Sequence, residues 1–145
     1  MNQKERYSIF IPVLEIEVEA KSYEEANKEA SEWIENLPKE KREELEELTD
    51  FEATMVTKKR DNKYLVTFPY YALDVEAKNE EGIIEEFIEW IKSLSEREKE
   101  KMKEMLILNK IIVMNKEGKC FEILFLKNPL EVRENVRWRI LRKRE

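Results

Sequence analysis

The sequence predicts an α+β fold: tandem duplicated strand-helix-helix-strand units that form a mainly antiparallel sheet with helices packed on it, closed by a C-terminal helix. Three observations carry this expectation. The chain aligns with itself without a gap at an offset of 57 residues. Within each copy the apolar period changes from two to that of a helix and back. Each helical stretch also opens on a residue suited to cap it.

The offset lays residues 7–57 on 64–114, with 15 of 51 positions identical, where this composition would give roughly three to five by chance. Tyr7 meets Tyr64, Pro12 meets Pro69, Val18-Glu19-Ala20-Lys21 meets Val75-Glu76-Ala77-Lys78, and Trp33-Ile34 meets Trp90-Ile91. Paired Tyr, Pro and Trp do not arise from shared Glu-rich composition.

Each copy begins as a strand. Leu14, Ile16 and Val18 alternate with Glu15, Glu17 and Glu19, and Leu73, Val75 and Ala77 alternate with Asp74 and Glu76. A period of two with one acidic face describes a half-buried strand. Ahead of each proline the apolar parity reverses, through Tyr7, Ile9, Ile11 and through Tyr64, Val66, Phe68. The reversal implies a bulge or a tight turn, and leaves one long bent strand or two short ones open.

Two helices follow in each copy. Ser22 with Glu25 has capping-box spacing, and Asn79 holds the matching place in the second copy. Ala26, Ala30, Trp33, Ile34 and Leu37 fall on one helical face, as do Ile83, Phe87, Trp90, Ile91 and Leu94. Both tryptophans are therefore expected in the core, with a base-stacking platform as the alternative. Pro38 suits the start of a second helix, and Ser95 with Glu98 forms another capping box. Those second helices have thin apolar seams, Leu45 with Leu48 and Met102 with Met105 and Leu106.

Strands over Phe51–Lys58 and Lys110–Asn115 end the copies, followed by turns at Arg60-Asp61-Asn62 and Asn115–Gly118. Phe121–Leu126 starts a third copy that stops after one strand. Asn128 and Pro129 then open a last helix to about Arg142. Two helices between strands reverse the chain twice and favour antiparallel neighbours. About 55 residues alone would make a marginal core. Residues 1–145 are thus expected to form a single compact domain of two repeats, 7–57 and 64–114, completed by 119–145.

Tyr-x-x-x-x-Pro, an acidic alternating strand, and Ala20-Lys21-Ser22-x-Glu24-Glu25-Ala26 together resemble the opening of HicB-like antitoxin domains, over about 30 residues per copy. The second copy keeps Tyr64 and Pro69 but has Gly82-Ile83 in place of Glu-Ala, and the Gly-rich turn usual between the first two strands of that family is missing. The resemblance implies a binding role and transfers no individual residue.

Composition narrows function further. The chain has no His, one Cys and two Gly. That excludes a disulfide framework, a Cys/His zinc site, a Ser-His-Asp triad and a glycine-rich phosphate loop. The commonest general acid–base residue at neutral pH is missing, so no catalytic residue and no cofactor is assigned. Glu15, Glu17, Glu19, Asp74 and Glu76 would suit Mg²⁺ or Ca²⁺ only if two strands gathered them; a solvated strand face is expected. Cys120 lies in an alternating apolar run and is expected to pack.

Charged residues make up 41% of the chain and the net charge is −6. Abundant Glu and Lys with little Gln, Cys or Gly is the hyperthermophile pattern. A polar start and the absence of a long apolar run point to a cytoplasmic protein without a signal peptide or membrane span. The cations concentrate at the end: Arg133, Arg137, Arg139, Arg142, Lys143 and Arg144, with Lys127, stand against three acids in 127–145. The functional expectation is a non-enzymatic binding protein that joins a protein partner or itself. An alternative is nucleic-acid association or antitoxin-like regulation through that basic segment, which otherwise lies on the acidic body.

Overall fold

The computed structural model describes residues 3–107, 109–125 and 140–144, the last as backbone. Its elements run β1 (Glu5–Glu19), α1 (Tyr23–Glu35), α2 (Lys39–Leu48), β2 (Met55–Arg60), β3 (Lys63–Ala77), α3 (Glu80–Ser93), α4 (Glu96–Met105), β4 (Lys110–Asn115), β5 (Cys120–Phe125) and β6 (Ile140–Arg144). The fold is α+β, and the β1–β4, β2–β3, β4–β5 and β5–β6 ladders are all antiparallel. Shifted by 57 residues, α2 covers the span of α4, and α1 covers all but the last residue of α3.

Strand register obeys the same offset. Tyr7, Ser8, Ile9 and Phe10 of β1 face Asn115, Met114, Val113 and Ile112 of β4. Tyr64, Leu65, Val66 and Thr67 of β3 face Lys58, Thr57, Val56 and Met55 of β2. Each residue of the second set stands 57 positions from its equivalent in the first. The opening of each copy therefore pairs with the close of the other.

This pairing explains where the chain divides. It forms two compact units, residues 12–70 and residues 1–11 with 71–145. The borders fall inside β1 and β3, not at the hairpin between copies, because each long strand gives one half to each unit. The parity reversals at the prolines mark those borders. Neither proline ends a strand: β1 and β3 each run 15 residues. Pro12 lies past the last β1–β4 pair and Pro69 past the last β2–β3 pair, so their missing N–H groups interrupt neither ladder. The Pro69 carbonyl accepts the Asp50 N–H at 2.8 Å.

In the unit 12–70, α1 lays Ala26, Ala30 and Ile34 on Tyr64, Val66 and Phe68 of β3, with Leu14, Ile16 and Val18 packed against them. The Ser22 hydroxyl accepts the Glu25 N–H at 3.1 Å and starts α1 where its spacing predicted. The expected strand over Phe51–Lys58 begins later. Phe51–Ala53 is a 3-10 turn, with the Asp50 carboxylate accepting the Glu52 N–H, and β2 extends to Arg60. Asn62 takes the left-handed conformation at φ 64° and closes the β2–β3 hairpin.

In the other unit the helical face carries larger side chains. Ile83, Ile84, Phe87, Ile88 and Ile91 of α3 are buried with Ile9, Ile111, Val113, Ile123 and Phe125. Phe87 stacks on Phe125 at 6.0 Å and on Trp90 at 5.9 Å. Asn79 caps α3, and Ser95 and Glu98 complete a reciprocal capping box at α4.

Two expectations are corrected. Trp33 is not a core residue: it is 46% exposed, and Trp90 is half-buried. The residue equivalent to Phe87 is Ala30, so Trp33 lacks the ring on which Trp90 lies. The helix expected over 129–142 falls mostly outside the described residues; where described, Ile140–Arg144 is a strand that continues the sheet beyond β5. A growing antiparallel sheet satisfies the backbone of β5, which a helix cannot do.

Candidate interaction site

Strand edges, not side-chain clusters, set the two units apart. In one unit β4 has a strand on each side, β1 and β5. In the other, its counterpart β2 pairs among the described residues with β3 alone. Among the described residues, the outer backbone groups of β2 meet no strand. Met55 and Val56 are half-buried, and Thr57, Lys58, Lys59 and Arg60 are exposed. Lys59 is the extra residue of a bulge, since the register steps from Lys58↔Tyr64 to Arg60↔Lys63. The edge thus combines unpaired N–H and C=O groups with three consecutive cations. Lys58 Nζ stands 3.6 Å from Asp61; no ion pair of Lys59 or Arg60 occurs among the described residues.

Sequence reasoning read this segment as a strand and a turn and passed over its charge, because a Lys-Lys-Arg run at a hairpin reads as ordinary solvated surface. No local signal marks it: β2 and β4 are each followed by a strand they pair with, and they differ only in that β4 pairs with β1 as well.

The residues singled out by charge lie elsewhere. Arg133, Arg137 and Arg139 are outside the described residues. Arg142, Lys143 and Arg144 belong to β6, whose backbone pairs with β5 through Glu122↔Arg144 and Ile123↔Lys143.

Three of the acidic strand residues, Glu15, Glu19 and Asp74, are held by separate neighbours. Glu15 accepts the Thr67 hydroxyl at 3.0 Å. Glu19 meets Lys63 at 2.6 Å, and that hydrogen bond keeps its carboxyl below the usual range. Asp74 accepts the Ser8 hydroxyl at 2.7 Å and lies 3.5 Å from Arg6. The Ser8 hydrogen bond is the main cause that lowers the Asp74 carboxyl, helped by the Tyr71 hydroxyl and Arg6 against partial burial. Tyr71 is raised by burial and by that same carboxylate. No group of three or more His, Cys, Asp or Glu side chains arranged to hold a metal occurs among the described residues.

Lys110 Nζ and Glu122 Oε1 lie 3.5 Å apart with side chains only 10% and 16% exposed, an ion pair across β4 and β5 that alternation did not foresee. Cys120 is half-buried and its thiol is raised by burial, the reverse of a reactive thiolate. Among the described residues no helix is long and apolar enough to cross a membrane. Compared with family models, curated proteins and solved structures, the chain matches none.

Proposed function

We propose that this chain is a non-enzymatic binding protein that works by accepting an extended strand of a protein partner on the open edge of β2. The carrying observation is the contrast between equivalent strands: β4 is paired on both sides and β2 on one. An open edge offers a row of directional donors and acceptors, and addition of a strand satisfies them together. The polar side chains that chemistry would need support this reading by their occupation. Asp74 is engaged by Ser8 and Arg6, and Glu19 by Lys63. The shared offset of sequence and register supports a duplicated unit as the origin of the two halves, with β5 as an addition that filled one edge only.

The test is amide hydrogen exchange by the full chain, read residue by residue, with solution mass from light scattering. Association with another chain, or with a second copy, is expected to slow exchange at alternate amides of residues 55–58. Association that leaves these amides unchanged would place the interface elsewhere and refute the reading.

A further inference from the structure

Resting on β2 as a docking edge, the charge along that edge specifies the occupant. We infer that β2 receives, antiparallel, a segment of another protein whose first residues are acidic and whose last residues are apolar.

The filled edge shows what such a strand requires. On β4 the added strand β5 runs antiparallel, buries Ile123 and Phe125, and brings Glu122, which faces Ile112, diagonally to within 3.5 Å of Lys110. On β2 the two requirements separate along the strand. Met55 and Val56 are half-buried and offer apolar contact, while Lys58, Lys59 and Arg60 at the other end offer only charge. An antiparallel occupant reaches the cationic end first. Its leading residues must therefore carry the acids and its trailing residues the apolar side chains. Cross-strand pairs of opposite charge each contribute about 0.2–1 kcal/mol. Over a reach of about 10 Å at 0.1 M salt these local cations, rather than the net −6 of the whole chain, set the field that the occupant meets.

A second copy fits poorly. Antiparallel pairing of Met55–Arg60 with itself sets Met55 and Val56 against Arg60 and Lys59, so the cations meet apolar side chains and no acid. Nucleic acid would satisfy the cations and leave the backbone edge unpaired. The opposing account is that cations and bulge guard the edge against any strand.

The experiment uses the full chain and three synthetic peptides: Asp-Glu-Asp-Thr-Val-Ile, its neutral counterpart with Ser and Gln for the acids, and its lysine counterpart. Affinity is measured at about 0.05 and 0.3 M salt, with amide exchange on each complex. The acidic peptide is expected to bind about tenfold or more tighter than the neutral one, to weaken with salt, and to protect alternate amides of residues 55–58. Lys58→Thr, Lys59→Thr and Arg60→Thr together should abolish the preference. Because these side chains are exposed, the fold should hold, which circular dichroism checks. Lys59→Glu with Arg60→Glu should transfer the preference to the lysine peptide.

Equal protection by acidic and neutral peptides would overturn the charge inference and leave the docking edge standing. No protection by any peptide would overturn both. Salt-sensitive binding of an RNA oligonucleotide without protection of residues 55–58 would assign the cations to a polyanion instead. Self-association of the triple variant, with no peptide bound by the parent, would show that the cations guard the edge.

Discussion

Replacing Phe87 by Ala and, separately, Trp33 by Ala tests how each unit is held together. Phe87 is 1% exposed and touches two rings, Trp90 and Phe125. Truncating a buried Phe costs about 3–5 kcal/mol, and aromatic pairs add about 0.5–1.5 kcal/mol each beyond buried area. Phe87→Ala therefore belongs at the upper end, about 4–5 kcal/mol. Trp33 is the larger side chain but is 46% exposed. Roughly half of its surface, at about 25 cal/mol per Å² and reduced for a compact denatured chain, gives about 2 kcal/mol. For a chain of this size the loss in Tm is about 10–15 °C against about 5 °C. Urea denaturation followed by far-ultraviolet circular dichroism measures both. If Trp33→Ala costs as much as Phe87→Ala or more, the assignment of the core to the Phe87 side of the repeat is wrong.

Three further outcomes are expected. Lys110→Met alone should cost about 1–3 kcal/mol by removing a sheltered cation 3.5 Å from the Glu122 carboxylate, whereas Lys110→Met with Glu122→Leu should recover part of the loss, as urea midpoints would show. Gly118→Ala should lose about 1 kcal/mol in the same assay: Gly118 stands at φ 83° in the β4–β5 turn, and open space around it leaves backbone conformation as the sole cause. Asp74 has a folded value below its ordinary 3.8, so its contribution is present above that pH and is lost as pH falls through the folded value. Acid titration of stability should therefore be shallower for Asp74→Asn than for the parent, and equal slopes would remove Asp74 from the account.

The sequence by itself determined the elements from β1 to β5 and their order, but not β6. Capping groups at Ser22, Asn79 and Ser95, a period of two beside the acidic strand residues, and turn residues at Asn62 and Gly118 act within a few positions of themselves. Their outcomes at the described residues follow from local geometry, and the 57-residue offset carried one copy's reading to the other. Tertiary structure decided what depends on distant partners. Trp33 and Trp90 share a helical position, but only Trp90 has a phenylalanine to lie on, because Ala30 stands where Phe87 stands. Pro12 and Pro69 left one long bent strand or two short ones open, and each strand runs on through its proline, with the β1–β4 and β2–β3 pairs ending before it. The paired charges of Lys110 and Glu122 lie in strands of otherwise apolar pattern, and alternation does not say which side chains of two strands come close. The candidate site was least legible of all. Cations draw attention to the C-terminal arginines, while an open edge is a property of which strands lie side by side. Nothing within Met55–Arg60 records that β3 is its one neighbour among the described strands; that follows from β5 having gone to β4.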